Sequence, residues 1–187
     1  IDAATGVIKR VYPETARADE FVLSNGRLIV SINPPKEARP PVVEKEDTPP
    51  PAPGKMVCAV DADSGRMLWK KGPFTANRVG RSQDPFGRIE LAAGDGKVFL
   101  LTSKAVESLS ADSGKQLWRI DRPALPEGAV RRLGYSGMYE FRLTVLIYHD
   151  GVVLLAQPEP NTHHTYHTMP GTLYALDAGN GRKIWSH

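Results

Sequence analysis

Short apolar runs separated by tight-turn signals dominate the chain. Three pairs of such runs flank the dipeptides Asn25-Gly26, Asp95-Gly96 and Asp150-Gly151, which favour two-residue hairpin turns. The runs have the roughly 4–8 residues of a strand and are enriched in β-branched and aromatic side chains. The pattern therefore predicts three hairpins, each of two antiparallel strands.

A second hairpin follows each of these and repeats in sequence. Its apolar first strand leads into a turn of the type Asp/Ser-Ala-x-x-Gly, and its second strand ends on Trp. Three copies span residues 57–69, 106–118 and 173–185, and all three tryptophans of the protein occupy the same repeat position. The Asp or Ser can bond its own backbone, and the Gly tolerates positive φ. Each repeat unit is thus predicted to be a four-stranded antiparallel sheet.

Four-stranded units repeated at this scale predict an all-β fold, a β-propeller of four-stranded blades. We expect a single domain over residues 1–187 with three blades plus one strand, the blades covering residues 20–70, 88–119 and 142–187. A partial copy at residues 1–11 predicts the outer strand of a preceding blade, near Val7–Val11. Because a propeller closes with about four to eight blades, the chain is expected to be a partial propeller, and its first residues to fall at a boundary within a longer protein.

The repeat Ala-x-Asp-x-x-x-Gly-x-x-x-Trp, complete at Ala59–Trp69 and Ala175–Trp185, resembles the tryptophan-docking motif of the pyrroloquinoline-quinone (PQQ)-like propeller repeats. The resemblance covers essentially the whole chain. In that family the motif Trp packs between neighbouring blades, which implies a structural role for the motif residues here. These are Asp61, Gly65, Trp69, Gly114, Trp118, Asp177, Gly181 and Trp185. Ser110 departs from the motif by replacing its Asp, and Arg10 stands where the first partial copy would have Trp.

The resemblance implies two classes of function. One is a non-catalytic segment that acts as a scaffold or as a protein- or ligand-binding module, with a protein partner or the remaining propeller blades as its partners. The other is a fragment of a PQQ-dependent dehydrogenase, a class that holds the quinone with calcium, uses a catalytic Asp and often has an adjacent Cys pair. Cys58 is the only cysteine, and no acidic pair stands in a recognisable site. We therefore favour the non-catalytic interpretation, assign no catalytic residue, and expect any quinone chemistry to reside in blades outside this chain.

Composition adds few constraints. Of 187 residues, 41% are hydrophobic and 24% charged, as in ordinary globular proteins, and no apolar run approaches the roughly 20 residues of a transmembrane helix. A net charge of +3 is too small to indicate nucleic acid as a partner. The compartment follows from the resemblance alone, which implies an extracytoplasmic protein, periplasmic or secreted.

The long connections are all predicted on one face of the propeller, because successive loops of a blade alternate between two faces. They are Asn33–Gly54, Lys71–Gly87, Asp121–Glu140 and Gln157–Gly171. Loops longer than about 12–15 residues are usually functional or disordered. The first carries eight of the 16 prolines and is interpreted as a solvated polyproline-type insertion, with a docking strip for a partner as the alternative.

Two clusters on this face have chemistry of their own. His163, His164 and His167 could together bind zinc, copper or nickel, although no carboxylate in the stretch would orient the rings, and an exposed polar loop is the simpler interpretation. Arg78, Arg81, Arg131 and Arg132 could form an anion-binding rim, with a solvated rim as the simpler interpretation.

Overall fold

The structure, a computed structural model, describes residues 4–38, 54–76, 87–123, 144–158 and 171–187. Twelve β-strands build three four-stranded antiparallel sheets. Within these ranges there is no α-helix, and two short 3-10 turns lie at Pro13–Thr15 and Lys36–Ala38. The predicted all-β class and partial propeller are confirmed.

Each sheet is one blade, with its strands in chain order across the sheet. Blade 1 contains β1 (Ala18–Ser24), β2 (Arg27–Ile32), β3 (Lys55–Asp61) and β4 (Met67–Phe74). Blade 2 contains β5 (Glu90–Gly94), β6 (Lys97–Leu101), β7 (Ala105–Ser110) and β8 (Gln116–Asp121). Blade 3 contains β9 (Val145–His149), β10 (Val152–Pro158), β11 (Gly171–Asp177) and β12 (Lys183–Ser186).

The blades pack face to face, and their first strands β1, β5 and β9 lie side by side. The apolar core therefore lies between blades rather than within one sheet. Phe99 and Leu100 are successive residues of β6 and point to opposite faces. Leu100 joins Ile29 in the cluster between blades 1 and 2, and Phe99 joins Leu155 in the cluster between blades 2 and 3. Blade 2 is thus apolar on both faces because both are covered.

The outer strand of a preceding blade, predicted near Val7–Val11, stays a prediction, since its partner strands would belong to that blade. Residues 7–12 form no strand with the described residues of this chain. Val7, Ile8 and Val11 have exposed side chains. The apolar character of this segment therefore does not produce a ladder of backbone hydrogen bonds in this chain.

The strand ends that flank the predicted long loops lie on one face of the propeller. β2 ends and β3 begins there, and so do the other strands that flank such a loop. The connection between β6 and β7 on the same face is short and is closed by Thr102, whose hydroxyl and N–H bond to Ala105. Most of the four long segments falls outside the described residues.

Candidate binding surface

The turn between the third and fourth strands of each blade is held by short-range hydrogen bonds. In blade 1 the Asp61 carboxylate accepts bonds from the hydroxyl of Ser64 at 2.6 Å and from its N–H at 2.7 Å. These two bonds lower the pKa of Asp61 below its usual range, because they favour the charged form. In blade 3 the Asp177 carboxylate accepts the N–H of Gly179 at 2.7 Å. The motif Asp therefore shapes the turn.

Trp69 of blade 1 packs on the turn between the third and fourth strands of blade 2. Its indole N–H donates to the carbonyl of Ala111 at 2.8 Å, and the side chain is only 8% exposed. A Cβ atom built on Gly114 would lie 2.8 Å from Cδ2 of the Trp69 ring, and Gly114 has a φ of +67°. Glycine is thus required here both by the backbone and by the ring. Lys71 adds a bond from Nζ to the Gly114 carbonyl at 3.0 Å.

Trp118 of blade 2 makes the equivalent contact with the turn of blade 3. Its indole N–H donates to the carbonyl of Ala178 at 2.9 Å, and the ring is 9% exposed. A Cβ atom built on Gly181 would lie 2.7 Å from Cε3 of Trp118. Phe99 packs beside it, 6.0 Å from the Trp118 ring and stacked at 5.3 Å on Tyr148 of blade 3. The two blade interfaces therefore share one design, a Trp seated on the Ala-x-x-Gly part of the next turn.

Polar pairs close the rim of both interfaces. Arg27 of blade 1 forms an exposed ion pair with Asp112 of blade 2. The Tyr148 hydroxyl of blade 3 donates a hydrogen bond to the Asp95 carboxylate of blade 2, and this bond raises the pKa of Tyr148. Exposed pairs contribute about 0–1 kcal/mol, so the buried Trp contacts dominate the interfaces.

The turn of blade 1 is occupied differently. The Tyr12 hydroxyl donates to the carbonyl of Ala62 at 2.7 Å, the place where the equivalent turns receive an indole N–H. A Cβ atom built on Gly65 would lie 3.5 Å from Nη1 of Arg10 and 3.8 Å from Cδ1 of Tyr12. The segment at residues 4–12 thus places an Arg and a Tyr where blades 2 and 3 receive a Trp.

Within the described residues, no other blade packs on one face of blade 3. Four of its side chains, Ile147, Leu154, Ala175 and Trp185, pair in a row across the sheet. The equivalent rows are Val22, Ile29, Ala59 and Trp69 in blade 1 and Ala92, Phe99, Ser108 and Trp118 in blade 2. Those two rows pack on the next blade, whereas Trp185 is 45% exposed and Ile147 is also exposed. Trp69 and Trp118 thus pack between blades, whereas Trp185 has no neighbouring blade among the described residues.

We call this surface the open face of blade 3 and define it by Val145, Ile147, Leu154 and Trp185. Ala175 lies in the same row but is fully buried. Val145 belongs to the face because residues two apart in a strand share a face, and its side chain is exposed. All four residues are apolar, and exposed apolar side chains grouped on one face are typical of a surface that packs on another domain or protein.

The opposite face of blade 1 is only partly covered by the described residues. Phe21 is 71% exposed, whereas the equivalent Leu91 of blade 2 is 7% exposed. Leu23 is also exposed, two residues further along the strand. The same face carries the Asp61-Ala62-Asp63-Ser64-Gly65 turn. We call Phe21, Leu23 and this turn the open face of blade 1.

A buried cation links blades 2 and 3 near the long-loop face. Arg122 is 7% exposed and donates from Nε to Oε1 of Gln157 at 2.6 Å and from Nη1 to the carbonyl of Thr102 at 3.3 Å. Burial lowers the pKa of Arg122 to about 10, against the opposing effect of the nearby Glu90 carboxylate. Arg122 therefore stays charged at neutral pH and ties the two blades through Gln157.

A second buried cation lies in blade 1, where the ammonium group of the fully buried Lys55 pairs with the Asp19 carboxylate. Both buried cations thus have polar partners contributed by other parts of the chain. No group of three or more His, Cys, Asp or Glu side chains that could hold a metal ion occurs in the described ranges.

The predicted clusters on the long loops lie outside the described residues. These are the imidazoles of His163, His164 and His167 and the rim residues Arg78, Arg81, Arg131 and Arg132. Both clusters remain predictions. Among the described motif residues, the structure brings Trp69 to Gly114 and Trp118 to Gly181.

The sequence pattern does not reveal the roles of two residues, Tyr12 and Arg122. Tyr12 lies two residues beyond the repeat position of the missing Trp, so a search for aromatics at that position passes over it. Arg122 looks like one of several basic residues of a polar loop, and only its burial against Thr102 and Gln157 sets it apart. A Tyr close to a degenerate Trp position would have been the one available signal.

Comparison with known proteins agrees with this repeat geometry. Residues 53–187 match a family model described as outer membrane protein assembly factor BamB. The chain belongs to this family. No curated protein sequence matches the chain.

Several solved structures similar to this BamB-family chain are much longer than it. A europium-containing methanol dehydrogenase superposes with a TM-score of 0.51 at 16% identity, over 92% of this chain and 25% of its own. A quinohemoprotein alcohol dehydrogenase from Comamonas testosteroni gives 0.46 at 17% identity, over 89% and 20%. BamB from Moraxella catarrhalis gives 0.46 at 14% identity, over 87% and 34%. The chain spans a quarter of the first of these proteins, which is similar in fold alone.

The BamB-family chain also lacks, in its described ranges, any helix with the length and apolar character needed to cross a membrane.

Proposed function

We propose that this chain is a non-catalytic propeller segment that acts as a scaffold, and that the open face of blade 3 binds a protein partner or a further blade of the same propeller. The observation that supports this is the exposure of Trp185. The same motif position is buried against a neighbouring blade twice in this chain, at Trp69 and Trp118. A face built to that pattern and left uncovered favours a partner with a complementary apolar surface.

The two interfaces between blades in this chain indicate how the open face of blade 3 would recognise a partner. Each buries an apolar row and satisfies the indole N–H with a backbone carbonyl. Buried Trp residues in the centre of a contact often supply most of the binding free energy. Trp185 is therefore the residue expected to dominate binding of the partner, and the repeat fits the tryptophan-docking motif that its sequence resembles.

The alternative is a fragment of a PQQ-dependent dehydrogenase. Calcium prefers six to eight oxygen ligands from carboxylates, amides and carbonyls. The donor set in the described ranges does not fit such a group, because no three His, Cys, Asp or Glu side chains come together there. We infer that a quinone with calcium would need ligands from outside these ranges, and we derive no step through it.

Titration with PQQ and calcium distinguishes the two functions. The scaffold proposal expects no saturable change in the quinone absorbance as the chain is added at stoichiometric concentrations. Saturable binding of one quinone per chain would overturn it in favour of the dehydrogenase class.

An apolar fluorescent dye such as ANS tests the binding surface itself. We expect the dye to bind the native chain, and Trp185→Lys to remove most of its fluorescence without lowering the unfolding temperature. Leu117→Lys is the matched control, because Leu117 is 47% exposed but lies on the opposite face of β8 from the buried Trp118. Equal dye fluorescence in the two variants would contradict a binding role for the open face.

We further infer an extracytoplasmic location, periplasmic or secreted. The support is the resemblance of the repeat to PQQ-like propellers. Fractionation of the source cells with an antibody against the chain tests it, and a cytoplasmic signal would overturn it.

A further inference from the structure

We propose that the guanidinium group of Arg122 binds the carboxylate of a ligand at the long-loop end of the interface between blades 2 and 3. The site is separate from the open face of blade 3, so it goes beyond the proposed function. Its four residues are all buried. They are Glu90, Thr102, Arg122 and Gln157.

The four residues lie at strand ends on the long-loop face. Glu90 begins β5, and Gln157 is the next-to-last residue of β10. Thr102 follows the end of β6, and Arg122 follows the end of β8. Because consecutive strands of a blade are antiparallel, these ends lie on the same face. The hydrogen bonds of Arg122 reach the ends of the second strands, β6 and β10, so the site lies between the blades and away from the first strands.

Arg122 uses only part of its hydrogen-bonding capacity. A guanidinium group has five N–H donors. Nε donates to Gln157 and Nη1 to the Thr102 carbonyl, whereas Nη2 is buried and has no hydrogen-bond partner within the described ranges. A buried donor without an acceptor destabilises a structure, and more so when it belongs to a charged group. Nη2 is therefore the atom at which a further acceptor would bind.

The chemistry of Gln157 explains why this donor is left over. Nε and Nη2 share one edge of the guanidinium group, the edge to which a carboxylate can bind through two parallel hydrogen bonds. Gln157 offers this edge a single acceptor, Oε1. Its other terminal atom, Nε2, is a donor and lies 3.4 Å from the Pro123 carbonyl. One half of a carboxylate-binding edge is thus occupied, and the described residues leave the other half for a ligand.

The charge balance of the site favours an anion over a neutral acceptor. Burial lowers the pKa of Arg122 to about 10, although the Glu90 carboxylate opposes this effect. The described surroundings therefore stabilise the cation less well than water does. A carbonyl or hydroxyl oxygen would satisfy the Nη2 donor but leave this deficit of negative charge. A carboxylate supplies both the acceptor and the charge, and its planar shape matches the guanidinium group.

The fold holds Arg122 in position before a ligand binds. Its backbone N–H donates to the Lys104 carbonyl at 2.8 Å, within the short connection that Thr102 closes. Leu101 and Leu155 are fully buried in the apolar cluster between blades 2 and 3, on the inner side of the site. A ligand therefore approaches from the long-loop face. Because the guanidinium group is already ordered, binding costs little additional conformational entropy.

Thermal unfolding of the full chain in sodium malonate, a small dicarboxylate, measures this binding. Sodium chloride and inorganic phosphate at equal ionic strength are the reference anions. A ligand that binds only the folded state raises the unfolding temperature. Above the dissociation constant, each tenfold increase in malonate should raise it by about 3–6 °C for a chain of this size. Chloride should give no such rise, and phosphate a smaller one.

Two variants of the site separate specific binding from the general stabilisation that some anions give to all proteins. Arg122→Lys keeps a positive charge but removes the two-donor edge, so the response to malonate should be lost. Gln157→Glu places a carboxylate on that edge from within the chain. It should raise the unfolding temperature without ligand and also abolish the response. Arg119→Lys is the matched control, because the Arg119 side chain is 42% exposed and already pairs with Glu107 and Asp121.

A peptide with capped ends and a central run of Glu distinguishes the two sources of a carboxylate. A response to the peptide but not to malonate would identify an acidic side chain of a protein as the ligand, and the reverse a free small carboxylate. Three outcomes would overturn the site: no malonate response beyond that of phosphate, a response that Gln157→Glu retains, and equal loss in Arg119→Lys. If Arg122→Lys does not fold, Gln157→Glu decides alone.

Discussion

Trp118 and Trp185 occupy the same repeat position, in the same row of their blades, and yet differ in burial. Trp118 is 9% exposed and donates its indole N–H to Ala178, whereas Trp185 is 45% exposed. Nothing in the strand that carries each Trp accounts for this difference. It arises because blade 2 has a blade packed against this face and blade 3 does not, in the described part of the chain. The repeat sequence thus determines which kind of surface a blade face can pack on. The presence of a neighbouring blade determines whether that face is buried and gains the free energy of packing.

Truncation of the two Trp side chains should give the largest difference in the free energy of unfolding between the two positions. Trp118→Ala is expected to lower the free energy of unfolding by about 3–5 kcal/mol, because it leaves a cavity between two blades. Trp185→Ala should cost less than about 1 kcal/mol, as for surface substitutions. Denaturant unfolding followed by circular dichroism measures both, and equal losses would show that Trp185 already packs like Trp118.

Substitution of the turn glycines should give the next largest difference in stability. Gly181→Ala and Gly96→Ala each force an L-residue into positive φ, which costs about 1–2 kcal/mol. Only Gly181 also faces a Trp ring, whereas nothing lies within 4 Å of a Cβ atom on Gly96. Overpacking should therefore add about 1–3 kcal/mol to Gly181→Ala alone. A thermal or denaturant series that gives identical losses for the two variants would contradict the seating of Trp118 on this turn.

Tyr12→Phe should have a smaller effect on the stability of the chain. It removes the bond from the hydroxyl to the Ala62 carbonyl and retains the ring, so about 0.5–1.5 kcal/mol is expected. Tyr12 stands in for the Trp of a preceding blade, which makes this variant the counterpart of the loss at Trp118. Gain of stability on this substitution would show that Tyr12 does not stabilise the turn. Val7→Ala, which truncates an exposed side chain in the same segment, is the control for effects of composition alone.

Titration of the Cys58 thiol should have the smallest effect on the free energy of unfolding near neutral pH. It is buried beneath the face that Tyr12 covers, and burial raises its pKa to about 11 from 9.0, with Lys70 opposing. The thiolate is the reactive form, so labelling by iodoacetamide at pH 8 should be slow in the native chain and fast after unfolding. Because the pKa is raised on folding, stability falls only as pH rises from about 9 towards 11. Fast labelling of the native chain would show that the cover at Tyr12 is open.

The sequence anticipated the blades well because their signals are local. Asn25-Gly26, Asp95-Gly96 and Asp150-Gly151 each place a non-glycine residue at positive φ before the Gly, as hairpin turns require. The alternation of apolar residues then decides which side chains share a face. Both signals act over a few residues, and both are visible without a neighbour.

The same reasoning is less informative where the outcome depends on a partner. The segment around Val7–Val11 is apolar enough for a strand, but a strand needs a neighbour to form its ladder of hydrogen bonds, and no described strand pairs with it. Arg122 stands among other basic residues in the sequence, which gives no sign that it is buried and bonded to Gln157. Charge and apolar content alone therefore do not place a residue inside or outside an interface.

Sequence by itself determined the strand pattern, the turn chemistry of Asp61 and Gly181, and the position of the three Trp residues in the repeat. Only the tertiary structure decided which of those Trp residues are buried, that Tyr12 takes the place of a fourth, and that blades 1 and 3 each have a face that the described residues do not fully cover. The physical reason is that hydrogen bonds within a turn need residues a few positions apart, whereas burial requires a surface contributed by a different blade.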